Sequence, residues 1–453
     1  MSARTPLALA IALALGGCSI FFDTDKRTAG RDDDAGTDSG VMDSDVPDGD
    51  SGVMDATPDA PPPMGPRTIC DIGAPSQGPT RRETGPVEIS VALTQRGGIA
   101  QMAHASPPAA NLTTTPFDAL DTTDTWDVAS VLDRQVGTYI APASMAIRRY
   151  DDMQVGIVVS GFAEIETYSG FAVGSSATRD GFAGLALTAD GDPGTGRPVS
   201  THIGQGLDLR AVFVEDNRTF LEGVGMGSIK TSGEGYGSID LRGATATGPV
   251  FVTGSAGRLA VFAEMNGFLL WDGISAAPTL YADAAVTRLP YTLDIANPRG
   301  DVYVVTYYAP TISRITHQRF VCSFAADSGQ LIDCGEPEET VDELDVPERL
   351  RLATHRVEGV GFAHVVAFSD GSDVIVRAEL VDENLDLIEE SSGEALIMEL
   401  GALPSTNAQA IDVDTWVQGD EVFVLVGVTT SPPGGMPELT MFTWRARLCP
   451  LAD

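Results

Sequence analysis

The side chains able to do chemistry in this chain are few and scattered. Its five histidines are His104, His202, His317, His355 and His364. None belongs to a His-Glu-x-x-His run and no two stand at metal-ligand spacing, so zinc-assisted hydrolysis has no motif here. His364 opens the apolar run His364-Val365-Val366-Ala367-Phe368, the setting of a core or pore-lining histidine. Asp190-Gly191-Asp192-Pro193-Gly194 is the best small site: Asp190 and Asp192 could turn oxygens toward calcium. Asp and Gly also make ordinary tight turns, which is the plainer reading. Asp151-Asp152, Glu336-Pro337-Glu338-Glu339 and Glu389-Glu390 would serve acid–base chemistry only if a cleft held two carboxyls at a set distance. As runs they read as solvated faces. Gly273-Ile274-Ser275-Ala276-Ala277 lacks the closing glycine of a nucleophile elbow. Gly223-Val224-Gly225-Met226-Gly227 lacks the strand-to-helix setting and lysine of a nucleotide loop. Trp126, Trp271, Trp416 and Trp444 could stack on a sugar or peptide, and each serves equally well in a core.

Cysteine gives sharper information. Apart from Cys18, the chain holds Cys70, Cys322, Cys334 and Cys449, an even number with no Cys-x-x-Cys spacing. Four cysteines allow three pairings. Asp327-Ser328-Gly329 reads as a three-residue hairpin turn, with Gly where positive φ is needed. Folding about Ser328 sets Ala326 opposite Gln330, Phe324 opposite Ile332 and Cys322 opposite Cys334, within disulfide reach. Cys70 and Cys449 then pair by elimination, joining the two ends of the folded region.

The elements that carry these residues read as strands almost throughout. Val155-Gly156-Ile157-Val158-Val159, Ala211-Val212-Phe213-Val214, Leu259-Ala260-Val261-Phe262, Val302-Tyr303-Val304-Val305 and Val422-Phe423-Val424-Leu425-Val426 are short, β-branched and bounded by turn residues. Several follow a turn glycine and an acid or arginine, as at Gly257-Arg258, Gly300-Asp301 and Gly419-Asp420. Gln154, Leu209, Leu259, Val302, Ala363 and Val422 mark units that recur at roughly fifty residues. With a further unit around Ile89-Ser90-Val91-Ala92-Leu93, the expected fold is all-β: a β-propeller of about seven blades, with six or eight also compatible. A pair of β-sandwiches is the competing arrangement, because no WD or kelch signature repeats.

The N-terminus supplies an address. Arg4 precedes an uninterrupted apolar run from Leu7 to Leu15, which is too short to span a bilayer and reads as an export signal. Leu15-Gly16-Gly17-Cys18 resembles the lipobox of bacterial lipoproteins. That resemblance implies a signal peptide over 1–17 and a lipidated Cys18 as the first residue of the mature chain. Ser19 after the cysteine leans, by the same family's sorting pattern, toward the outer membrane.

From Ser19 to Arg67 there are twelve Asp, no Glu and four Lys or Arg. Asp38-Ser39-Gly40-Val41-Met42-Asp43 recurs as Asp50-Ser51-Gly52-Val53-Met54-Asp55, and Pro61-Pro62-Pro63 follows. Such sequence buries too little apolar surface to offset its ordering entropy, so 18–67 reads as a disordered acidic spacer ahead of the propeller-like region 68–453. Asp-rich spacers behind a lipobox resemble those of surface lipoproteins from myxobacteria and related bacteria.

The formal net charge of −36 excludes nucleic acid as a partner, since phosphate contacts need a basic surface. The reading that results is a cell-envelope protein, held to a membrane by its N-terminal lipid. It would present its β-domain to a protein or glycan partner, from the outer membrane or cell surface rather than the inner membrane. The lack of a recoverable catalytic set favours binding over catalysis. The alternative is a hydrolase or lyase acting on an extracellular carbohydrate or other polymer. Calcium is the one cofactor the sequence leaves open.

Overall fold

The computed structural model describes the strands between Arg67 and Pro450 and most of their turns in 67–122 and 301–450. It describes side chains chiefly in 67–121 and 301–450. Cys18, Asp190, Asp192 and Trp126 lie outside the described residues, as do the side chains of His202 and Trp271.

The chain is all-β, with one short 3-10 turn at Phe117–Thr122 among the described residues. It opens with β1 (Arg67–Ile72), β2 (Ser76–Gln77) and β3 (Arg81–Arg82). Four antiparallel meanders follow. They are β4 to β7 (Ile89–Thr94, Ile99–Ser106, Ala109–Pro116, Asp127–Ser130), then β8 to β11 (Tyr139–Arg149, Gln154–Ala163, Thr167–Ser175, Phe182–Ala189). Next come β12 to β15 (Arg197–Ile203, Asp208–Glu215, Arg218–Gly225, Tyr236–Asp240) and β16 to β19 (Val250–Ser255, Arg258–Ala263, Gly267–Trp271, Thr279–Ala282). A five-stranded sheet takes β20 to β24 (Leu293–Arg299, Val302–Ala309, Arg314–Phe324, Leu331–Cys334, Glu338–Asp345), with β23 and β24 sharing β22. The sixth sheet is β25 to β28 (Leu350–Val357, Gly361–Ser369, Val374–Asp382, Ile397–Leu403). The last holds β29 (Ala408–Gln418), β30 (Glu421–Thr430) and β31 (Glu438–Pro450), and β1, β2 and β3 complete it by pairing along β31.

The first strand of each sheet packs on the first strand of the next: β4 on β8, β8 on β12, β12 on β16, β16 on β20, β20 on β25 and β25 on β29. β29 in turn packs on β4. The recurring apolar landmarks at Gln154, Leu209, Leu259, Val302, Ala363 and Val422 all fall on the second strand of a sheet. A strand with neighbours on both edges and sheets on both faces must be apolar throughout, which is why it stands out in sequence. Ile89–Leu93 differs, lying on the first strand of its sheet. The hairpin grammar is local. At β29–β30, Gln418 pairs with Glu421 across the two-residue turn Gly419-Asp420, where Gly419 takes φ +64°. At β26–β27, Asp370 accepts from the backbone N–H groups of Ser372 and Asp373 at 2.9 and 2.8 Å, and these bonds hold its carboxyl below the usual range.

Among the described residues, the largest core cluster lies between the sixth and last sheets. It joins Val365, Val376 and Leu380 to Ile411, Val413, Val424, Phe442 and Trp444. Residues from both ends of the chain close this region. Arg67 pairs with Pro450 and Ile72 with Ala446, and the N–H groups of Gly73, Gly78 and Glu83 continue the ladder to Arg445, Met441 and Pro437 carbonyls. On its other edge, Ile69 donates to Glu389 O and its carbonyl accepts from Ser391 N, each at 2.9 Å. One strand therefore ties the C-terminal sheet to its predecessor.

Two disulfides reinforce these pairings. Cys322 lies directly opposite Cys334, with Cα atoms 4.0 Å apart. Cys70 is the bulge residue between Ile69 and Asp71, and it bonds Cys449 at a Cα separation of 5.8 Å. The symmetric fold about Ser328 needs one correction: Phe324 pairs with Leu331, not Ile332. The register slips by one residue between Ser323 and Phe324, and Ala325 N donates to Gln330 O. The tip thus closes a residue early, and Ile332 is left 67 % exposed.

Candidate functional site

Among the described residues, polar side chains converge closely where β29 packs between β4 and β25. Past an irregularity between Ala408 and Ala410, β29 alternates. Ile411 and Val413 enter the large core cluster, so Asp412 and Asp414 must emerge on the opposite face, toward β4. β4 is the first strand of its sheet, and its outer edge would otherwise present unpaired N–H groups. Asp412 Oδ2 accepts from Val91 N at 2.9 Å and from Ser90 Oγ at 2.6 Å, and Asp414 Oδ2 accepts from Leu93 N at 2.7 Å. The two-residue repeat of the acids matches the two-residue repeat of the free N–H groups. Two carboxylates thereby perform the edge pairing that a neighbouring strand would supply.

His355, on β25, completes this group. Its Nε2 lies 3.2 Å from Asp414 Oδ1, and its Nδ1 lies 3.0 Å from Arg356 O and 3.2 Å from Thr415 Oγ1. Thr415 gives its own proton to Arg356 O at 2.6 Å. Both ring nitrogens thus face acceptors, and the imidazolium is the form that donates to both sides. Beyond it, Arg351 donates from Nε to Gln409 O at 2.9 Å and from Nη1 to Leu350 O at 2.8 Å. Burial lowers its pKa below the ordinary arginine value.

Chemically, this is a set of groups already spent. Asp412 and Asp414 hold backbone, and the His355 side chain, 26 % exposed, is aimed at Asp414. Sequence reading named His355 only among the five histidines without a motif and passed over Asp412 and Asp414. The signal was present in Ile411-Asp412-Val413-Asp414, where acids occupy alternate positions of an apolar strand and so demand a partner on one face.

The structure disperses the other singled-out residues. His104 is buried with Nε2 3.3 Å from Glu83 Oε1, an ion-pair distance without hydrogen-bond alignment, and Glu83 also accepts from Arg81 Nε. Glu338 pairs with Arg319 at 2.7 Å on an exposed edge, and Glu339 accepts from Gln318 at 3.2 Å. Glu389 and Glu390 serve through their backbone, against Ile69. Trp444 is core and Trp416 packs half-buried on the cluster formed by β4, β5 and β30. Among the described residues, no three His, Cys, Asp or Glu side chains stand close enough to hold a metal ion.

No family model matches the chain, and no curated protein matches it. Among solved structures, the chain is similar to the complex of KlAtg21 with the coiled coil of AgAtg16 (9 % identity, TM-score 0.44, 77 % of this chain and 95 % of that one). It is similar to the Dos1 propeller at 11 % identity and a TM-score of 0.40, over 82 % of this chain and 95 % of that one. A PL25 ulvan lyase bound to a GlcA–Rha3S ligand is similar at 9 % identity and a TM-score of 0.43, over 82 % and 94 %.

Proposed function

We propose that this protein is a lipid-anchored cell-envelope module that presents a seven-bladed, propeller-like β-domain to a protein or glycan partner. Cys18 carries the lipid, 18–67 is the acidic spacer, and 68–453 is the binding domain, displayed at the outer membrane or cell surface. The succession of first strands supports the propeller reading, because each packs on the next and β29 packs back on β4. The observation that carries the binding reading is the employment of Asp412, Asp414 and His355. Among the described residues, these converging ionisable groups are committed to holding strands together, as befits a rigid scaffold whose function lies on its outer faces.

The test compares the full chain with Cys18→Ser in cells. The parent is expected in the membrane fraction and the variant in the soluble fraction; equal partition would remove the anchor from the proposal. Soluble Cys18→Ser protein is then incubated with envelope polysaccharides and with intact cells. Retention without shortening of the polymer supports a binding module, whereas shortened polymer would establish the hydrolase or lyase in its place.

A further inference from the structure

The seam between the fifth sheet (β20 to β24) and the sixth (β25 to β28) contains a polar layer that no part of the proposed binding role uses. Thr306 of β21 lies opposite His317 of β22, and Thr354, His364 and Glu379 form one row across β25, β26 and β27. All five side chains are buried, His364 completely. The two rows meet face to face: the rings of His317 and His364 are 5.2 Å apart and perpendicular. Apolar clusters close the layer on both sides, with Tyr308, Leu352 and Val366 at one end and Val304, Phe362 and Val381 at the other. His317 Nδ1 pairs with Thr306 Oγ1 at 2.9 Å, whereas neither nitrogen of His364 has a hydrogen-bond partner.

We infer that this seam is built to open on acidification, with His317 and His364 as its sensor. The charge balance explains why. Thr306 of β21 and Thr354 of β25 face the rings without charge; Glu379 of β27 stands in the row of His364, and Asp294 of β20 is in register with Thr306. The next positions on the same faces of β22, β25 and β27 are Arg319, Arg356 and Arg377. Arg319 is occupied by Glu338 and the carbonyl of Glu383, and Arg377 lies over the Phe368 ring at 5.1 Å. Protonating both rings puts two cations about one ring apart in a layer closed by apolar clusters, with arginines at the margins. Burial already holds both rings below the ordinary histidine range, His317 at about 4, with His317 adding to the effect on His364. The layer thus stays neutral and closed near neutrality, and acid separates the two sheets at this seam before the better-bonded one beside β29.

Hydrogen exchange on the full-length chain at about pH 7 and about pH 4, corrected for intrinsic rates, tests this. Protection of β21, β22, β26 and β27 is expected to fall at least about tenfold more than that of β29 and β30. The double variant His317→Gln, His364→Met should retain protection in acid. Uniform loss across all sheets would overturn the inference, as would undiminished loss from a folded double variant. Proton resonances of the two rings in the parent protein provide a readout that needs no variant. Titration of both near 6.5 in the folded state would equally refute the sensor.

Discussion

Two seams in this molecule hold histidine in opposite ways. Beside β29, His355 lies among acceptors, with Asp414 at 3.2 Å, and the carboxylates in turn satisfy the edge of β4. Between β22 and β26, His364 has no hydrogen-bond partner and faces a second imidazole. The first arrangement accommodates a charged ring and the second excludes one. The same residue type therefore rigidifies one joint and makes another conditional, and the difference lies first in how deeply the ring is buried and then in what stands opposite it.

Removing the acid at the saturated seam is the most severe way to break this contrast. Asp414→Ala leaves Leu93 N unpaired and His355 without its counter-charge, which should cost about 4 kcal/mol. Urea unfolding at neutral pH measures this; a loss below about 1 kcal/mol would mean that the carboxylate is replaceable by water.

Acid should discriminate between the seams next. His317 has a folded-state pKa of about 4 against the ordinary 6.5 of the unfolded chain. Between those values the unfolded chain binds more protons, so stability falls as pH falls. Above 6.5 there is no penalty, and below about 4 it is complete. One ring accounts for roughly 3 kcal/mol over that window, and the lowered pKa of His364 acts in the same direction. A series of unfolding midpoints against pH reads it directly, and a flat series would contradict the depressed values.

Asp412→Ala is the milder version of the first experiment. Asp412 is half-buried and accepts from Val91 N and Ser90 Oγ, so about 2 kcal/mol is expected. A loss equal to that of Asp414→Ala would show that the His355 contact contributes nothing. The smallest effect belongs to Arg445→Leu, which removes a guanidinium held 4.5 Å over the Phe423 ring and bonded to Asp118 at 2.7 Å. About 1 kcal/mol is expected from the same unfolding assay. A much larger loss would place an energetic anchor here, outside both histidine seams.

Local pattern carried much of the architecture. The second strands β21, β26 and β30 are buried on both faces, and unbroken β-branched runs of this kind reveal the recurring unit without any long-range information. Turn chemistry did the same for Gly419-Asp420 and for the Cys322–Cys334 hairpin, where the disulfide partners face each other across few residues. The bulge at Ser323 and Phe324 was not legible, because it depends on how β22 divides its edge between β23 and β24. Nor were the partners of Asp412 and Asp414. The alternation of β29 shows that the acids need acceptor work to do, but the N–H groups they take belong to residues over three hundred positions away.

The sequence by itself determined the strand class, the recurring unit, the acidity and the local disulfide, since each follows from composition, a period of two or a short turn. Only the tertiary structure decided that β1 binds both β31 and the 389–391 segment, that the acids of β29 cap β4, and that His317 meets His364 across two sheets. Those contacts join residues whose spacing along the chain carries no signal. They arise when apolar faces pack and bring whatever stands between them into a medium where every unpaired polar atom is costly.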